Sequence, residues 1–485
     1  MTTAYPARSS RRRTLSCIAA LVGLVAPLCV PQKANAQEWL KDRRYQEGIG
    51  VRTGDFELHP GIAAEIGYDS NWFLRTFKQD AARIANGDPN APVQDGAILR
   101  ITPSLNFSTL GGQRRAGDPE SAKPTVTFRG GLSATYREFF GPERLRDQRN
   151  VSATANMRLD VLPDRPIGFG VEGSYTRTIQ PNTTGDPDQS FNRDDLDGRL
   201  ELVTVPGGGT LDWRFGYGLH ATLFENSSAV PYNNITNEAY TKGRWKFRPR
   251  TAFLYDGSVR WRNYLSDADR ATVQLFDSTP VRARLGLNGL ITSRFAFLGM
   301  VGWGSSFNRP ANLPQVKQYN SVIGQAEFKF FLTAAPGDAD MGVSLLLSSI
   351  AIGYSRDFQP SYLGSHYGSD RGYAKVQYMF AGRVLLSLEG GVGALTYPDL
   401  YYPPGATQTG IAHDAWTDVR ADATLFAEYR FSSSFGVNTT FNYTTNISDT
   451  RLPIATIPGA TAGTGDLYDL NYRRFQAFLG VRWFL

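Results

Sequence analysis

The chain has 485 residues, a formal net charge of +6 and two cysteines. The first 36 residues carry four Arg, one Lys and no acid, which is +5, so the remainder is nearly neutral at +1. That removes basic charge as evidence for nucleic acid binding. Because Cys17 and Cys29 both lie in this leader, it also removes disulfides and thiolate metal sites from the rest of the chain.

Arg8, Arg11, Arg12 and Arg13 precede an apolar stretch from Leu15 to Val30, broken by Pro27, and Ala34-Asn35-Ala36 is a small-x-small site. Residues 1–36 read as a signal peptide cleaved before Gln37. The surroundings of Arg12 and Arg13 fit a twin-arginine signal poorly, and Leu28 before Cys29 does not fit a lipobox. Beyond the leader no uninterrupted apolar run of 18 or more residues appears, so no spanning helix is expected. An exported chain with 12% aromatic residues, 49 glycines and no spanning helix favours an outer-membrane barrel over a periplasmic enzyme. Residues 37–54 read as a periplasmic N-terminal lead-in, and 55–485 as the barrel.

Period-2 alternation begins just after the lead-in. On Val151–Val161, Val151, Ala153, Ala155, Met157, Leu159 and Val161 oppose Ser152, Thr154, Asn156, Arg158 and Asp160. Leu211–Phe224 repeats the pattern, with Trp213, Phe215 and Tyr217 on one face and Asp212, Arg214 and His220 on the other. Asp418–Phe431 alternates throughout: Val419, Ala421, Ala423, Leu425, Ala427, Tyr429 and Phe431 are apolar, and their neighbours are polar except Phe426. Phe435–Thr444 alternates in the same way. Comparable segments begin near 56, 97, 125, 168, 195, 237, 252, 281, 295, 321, 342, 372, 383 and 472. Strands this long exceed the usual ~5–6 residues of globular proteins and match a tilted bilayer crossing of about 9–11. The expected fold class is all-β: a transmembrane antiparallel up-and-down β-barrel of about eighteen strands (roughly 16–18) behind a cleaved signal peptide.

The connections agree. Tight ones, 163–166, 206–209, 248–250, 292–294, 381–383 and 432–434, alternate with long polar ones such as 181–192, 225–236, 265–279, 307–318, 398–412 and 446–469. Short periplasmic turns and long outer loops alternate in this way, which places both termini in the periplasm. The segment 111–123 is the exception, long on the short side. Phe247, Phe253, Phe295, Phe380, Phe431 and Phe435 cluster beside tight turns, where an interfacial girdle belongs.

The last strand places Phe475, Ala477, Leu479, Val481, Trp483 and Leu485 on one face. It resembles the terminal strand that the outer-membrane barrel assembly machinery recognises, although such signals mostly end in Phe and this one ends in Leu485 after Phe484. FELHPGIAAEIGYDSN (56–71) and AILRITPSLNF (97–107) resemble the start of an outer-membrane β-barrel porin family (β-barrel porin 2-like). Pro60, Gly67-Tyr68-Asp69-Ser70-Asn71 and Pro103 carry the likeness. The resemblance implies a barrel without catalytic residues. It also implies a link to exopolysaccharide export loci, with a polysaccharide as cargo and a periplasmic export component as partner.

Alternation turns Lys242, Arg244, Lys246 and Arg248, then Arg260 and Arg262, then Arg282 and Arg284 toward the lumen, where they form a basic band. Such a band concentrates anions, or it serves only as half of a paired wall. Asp195, Asp197, Glu201, Glu389, Asp418, Asp422 and Glu428 face in elsewhere. Inward aromatics such as Tyr240, Tyr264 and Phe426 could stack on sugar rings or simply fill space. His59, His220, His366 and His413 have no metal-ligand spacing, and GSHYG (364–368) matches a nucleophile motif only superficially. No enzyme, cofactor or metal is expected. The expected function is an outer-membrane channel, the exit for a secreted polysaccharide. The alternatives are a general or anion-preferring diffusion porin and a structural or adhesin barrel. The expected partners are outer-membrane lipid and the barrel assembly machinery, without nucleic acid.

Overall fold

The computed structural model describes residues 50–76, 93–109, 125–163, 165–179, 191–206, 209–226, 232–265, 276–309, 316–332, 348–361, 363–380, 383–401, 410–453 and 467–485. The signal peptide, most of the lead-in and the 111–123 connection lie outside the described residues. Eighteen long strands follow one another. They are β1 (Phe56–Asp69), β2 (Gly96–Thr109), β3 (Val126–Phe140), β4 (Asn150–Val161), β5 (Ile167–Thr178) and β6 (Arg193–Thr204). Next come β7 (Leu211–Phe224), β8 (Asn234–Arg248), β9 (Thr251–Tyr264), β10 (Val281–Thr292), β11 (Phe295–Ser305) and β12 (Asn320–Phe331). The last are β13 (Ser349–Pro360), β14 (His366–Phe380), β15 (Val384–Tyr397), β16 (Trp416–Arg430), β17 (Phe435–Ile447) and β18 (Tyr472–Phe484). Each pairs antiparallel with the next, and β1 pairs with β18 from Gly61↔Phe484 to Asp69↔Gln476, which closes the barrel. Closure pairs the backbone without an open edge, as hydrocarbon demands.

The outer face is apolar. Ile352 and Val301 are each 62% exposed, and Leu479 is 58% exposed. The predicted girdle phenylalanines sit on this face at the tight-turn end, with Phe431 and Phe435 stacked at 6.0 Å. The opposite rim uses tyrosines tied to acids: Tyr68 donates to Asp95 at 2.6 Å and Tyr175 to Asp194 at 2.7 Å. An amphipathic ring with a wet tip suits that interface.

The segment expected to begin near 342 falls partly outside the described residues, and β13 is described from Ser349. One strand starts elsewhere than the alternation suggests. β14 begins at His366 rather than near 372. There Asp370 faces outward to Tyr354 and Arg356 at the rim, so polar residues occupy both parities and hide the period.

The Gly67–Asn71 motif fastens the seam. Asp69 is fully buried and accepts from Arg474 Nε at 3.0 Å, Gln476 Nε2 at 2.7 Å and the Asn71 amide at 3.0 Å. Asn71, also fully buried, donates to the carbonyls of Arg75 and Arg473 and accepts from the Arg75 amide. Gly67 leaves room for the Phe478 ring, which a Cβ would meet at 2.2 Å. Trp72 and Phe73 then turn in over Ile98, Phe139, Leu145 and Phe478. Pro103 lacks a donor, and the β2–β3 ladder skips it. At the tight-turn end, Val51–Thr53 folds back on Phe56–Leu58, beside the point where the Leu485 amide donates to the Pro60 carbonyl.

Candidate functional site

The lumen wall carries the polar chemistry. β8, β9 and β10 are neighbours, and Lys242, Arg244, Arg260, Arg262, Arg282 and Arg284 have inward parity on them, whereas Lys246 and Arg248 lie at a register shift of β8 that sets Arg248 opposite Thr251. Five are matched by carboxylates. Lys242 meets Glu201 at 2.8 Å, Arg244 meets Asp212 at 3.8 Å, and Arg260 meets Glu238 at 2.7 Å. Arg282 meets Asp357 and Arg284 meets Asp256, each at 3.0 Å. Arg262 donates to Thr236. Lys246 and Arg248 stand exposed at the periplasmic end. Glu201, 5% exposed, is a hub that also takes Arg158 at 3.3 Å, Arg214 at 3.6 Å and the Tyr240 hydroxyl at 2.9 Å. Tyr240 is thus engaged in the wall, and Tyr264 is only 5% exposed, so neither offers a free face for stacking.

Five of the seven predicted inward acids are matched by Arg or Lys, Asp195 by Arg193 at 3.0 Å and Glu201 as above. Asp422 and Glu389 share Arg371, Lys375 also pairs with Glu389, and Glu428 holds Arg430 and Arg482 at 2.7 and 2.8 Å. Among the described residues, Arg129, Arg137, Arg199, Arg262 and Arg420 face the lumen without a carboxylate partner within 4.0 Å. Asp197 pairs only with His220, and Asp418 is held by Asn446. The unpaired charge of the wall is therefore positive. Alternation assigned the inward bases, but pairing partners come from register, which is not visible in one strand.

A second feature went unremarked in the sequence. The inward residues of β2, β3 and β4 form a block without charge. Thr102, Ser104 and Asn106 lie beside Thr135, Ser133 and Gly131, which lie beside Ser152, Thr154 and Asn156. The Thr102 and Thr135 hydroxyls are 2.9 Å apart, and those of Ser133 and Thr154 are 2.6 Å apart. Arg100 and Arg137 border the block toward the outer mouth, and Arg129 and Arg158 border it toward the periplasm. The signal was present as R-x-T-x-S-x-N in β2, R-x-G-x-S-x-T-x-R in β3 and S-x-T-x-N-x-R in β4.

The tip of the β13–β14 hairpin packs on the inner wall at the long-loop end. The β12–β13 ladder ends at Gly324↔Arg356. Beyond it Phe358 has outward parity but is 1% exposed, because the tip leans across the inner wall. Its ring lies over Gly304, where a Cβ would meet it at 2.7 Å, and stacks on Tyr319 at 4.4 Å. Arg282 reaches from β10, donating to Asp357 and to the Phe358 carbonyl with its guanidinium 4.2 Å from the ring centroid. His366 is buried against Tyr319 and bonds Ser365, so GSHYG is part of this packing. Nearby, Leu395, Tyr397, Leu400, Trp416 and Leu452 form an apolar cluster under the outer loops. Lys317 and Asp399, 2.7 Å apart, tie two of those loops together. Their hydrogen bond holds the Asp399 carboxyl below its ordinary range and the Lys317 ammonium above its own. We expect Phe358→Ala to cost about 3 kcal/mol and to raise single-channel conductance in planar bilayers. An unchanged conductance would mean that the tip does not limit the pore.

No group of three or more potential metal ligands occurs among the described residues. A closed barrel of this size, apolar outside and charged inside, belongs to the bacterial outer membrane. No family model and no curated protein matches the chain. Among solved structures it is similar to the copper transporter OprC, at 10% identity, with 90% of this chain and 81% of that one covered and a TM-score of 0.42. It is similar to the outer membrane protein opdK from Pseudomonas aeruginosa, at 11% identity, 88% and 98% coverage and a TM-score of 0.40. OccAB4 from Acinetobacter baumannii is similar at 10% identity, 88% and 98% coverage and a TM-score of 0.39. Likeness at this level carries no argument about a solute. The chain is an outer-membrane β-barrel.

Proposed function

We propose that the barrel is a diffusion channel that favours anions. The observation behind this reading is the set of unpaired inward bases, chiefly Arg129, Arg137, Arg199 and Arg420, which outnumber Asp197 and Asp418, the predicted inward acids without an Arg or Lys partner. Fixed positive charge in a narrow, low-dielectric-walled passage raises the local anion concentration and entry rate, and the effect weakens as salt screens it. The test is the zero-current potential of the purified barrel across a potassium chloride gradient. The expected sign is that of chloride permeation, and a potassium-selective sign rejects the reading.

A second reading is the exit for a secreted polysaccharide. It is supported by the resemblance of residues 56–71 and 97–107 and by the uncharged hydroxyl and amide block of β2–β4. Under it, residues 37–54 engage a periplasmic partner. Deleting them leaves the barrel assembled but stops export, measured as surface polymer in a deletion strain complemented with the truncation. Normal surface polymer from that strain counts against the exit. In both readings Phe475, Leu479, Val481, Trp483 and Leu485, which line the outer face of β18, present the signal for assembly, and the channel needs no catalytic residue.

A further inference from the structure

We infer that the uncharged block on β1–β4 is a binding subsite for one sugar unit, with Arg137 placed to take a carboxylate if the sugar carries one. The inference rests on reading the lumen as a solute path and adds a ligand class to it. A cavity of about 230 Å³ lies on the wall here, below the roughly 300 Å³ at which drug-sized sites begin and suited to a single ring. Thr102, Ser104, Asn106, Ser133, Thr154 and Asn156 line it together with His59 and with Arg482, which is already paired with Glu428 at 2.8 Å, and Gly61, Ala63 and Gly131 leave its floor low. A Cβ at Gly131 would meet Asn106 Oδ1 at 2.6 Å, so the amide lies flat on the wall because that residue is glycine.

The chemistry matches a polyol. Each Ser or Thr hydroxyl offers one donor and two acceptor positions, and each Asn amide offers both kinds. Paired to each other across strands, the hydroxyls keep lone pairs free for an incoming hydroxyl. Neutral groups also give up water at a lower cost than charged ones, so a sugar can displace the wall's water here more easily than along the ion-paired sectors of β6–β10. At the outer edge, Arg137 spends one terminal nitrogen on Ser152 at 2.9 Å and Asn150 at 3.4 Å and has no carboxylate partner. Arg100 beside it is already paired with Glu65 at 2.7 Å. Arg137 is therefore the guanidinium available to a carboxylate bound in the block, in the fork geometry such pairs prefer.

The test is calorimetric titration of the detergent-solubilised full chain with maltotriose and, separately, with trigalacturonic acid. Both bind, and the acid binds more tightly. Thr102→Val combined with Thr135→Val keeps β-branched side chains in the strands and weakens both by about tenfold, the effect of losing two neutral hydrogen bonds. Arg137→Gln weakens the acid alone, toward the affinity of the neutral trimer. Gln325→Leu, on the far wall in β12, changes neither. Absence of binding of either sugar to the wild-type protein overturns the subsite, whatever the ion selectivity of the channel. Binding of the acid that survives the threonine substitutions also overturns it, because the arginines alone would then hold the ligand. Loss of chloride selectivity with sugar binding intact would instead remove the diffusion reading and leave the subsite standing.

Discussion

Asp69→Ala is expected to be the most destabilising single substitution at the barrel seam, costing about 3–5 kcal/mol. The reason is asymmetry. The substitution does not only delete an interaction; it strands the Arg474 guanidinium, the Gln476 amide and the Asn71 backbone N–H, all of which now aim at one fully buried carboxylate. A group left without its partner in a buried place costs more than the pair contributed. The seam is also where the loss spreads furthest. β1 and β18 pair over Gly61–Asp69, while β1 and β2 pair over all of Phe56–Asp69. The measurement is the temperature at which the folded barrel, distinguished by its electrophoretic mobility without boiling, converts to the unfolded band. Asp69→Asn, which keeps one acceptor oxygen, should fall between the wild type and Asp69→Ala. If Asp69→Ala converts at the wild-type temperature, the seam does not depend on this carboxylate.

The second large effect is on selectivity. Changing Arg129, Arg199 and Arg420 together to glutamate should reverse the sign of the zero-current potential, from chloride-favouring to potassium-favouring. Each change moves the wall charge by two, and none removes a carboxylate's partner, because these arginines have none among the described residues. The barrel should therefore assemble normally while its field inverts. The same changes at Arg260, Arg284 and Lys242 would confound the result, since they would strand Glu238, Asp256 and Glu201. Added salt should shrink the difference between wild type and variant by screening. A triple variant that assembles and keeps the wild-type sign places selectivity elsewhere, with the β13–β14 tip as the next structure to alter.

Much of this architecture is legible in a single strand, because a bilayer crossing imposes a local rule. Asp418–Phe431 must show lipid one face and water the other, and a side-chain period of two writes that requirement directly into the residues. For the same reason alternation alone turned Lys242, Arg244, Arg260, Arg262, Arg282 and Arg284 inward and Leu479 and Val481 outward. The rule fails where its cause fails. At His366–Arg371 the chain has risen past the lipid, both faces are polar, and the start of β14 disappears.

What the chain alone cannot display is register, and register decides the chemistry of the wall. Lys242 and Glu201 are inward in either case, but only the offsets between β6, β7 and β8 bring them to 2.8 Å and leave Arg199 unpaired. Local composition determined that this protein is a lipid-spanning barrel with a charged lumen. Tertiary structure decided which charges cancel, where three neutral strand faces join into one block, and that Phe358, outward by parity, turns in over the inner wall. Those outcomes depend on contacts between strands far apart in the chain, and a residue's own alternation holds no information about which neighbour closure will bring beside it.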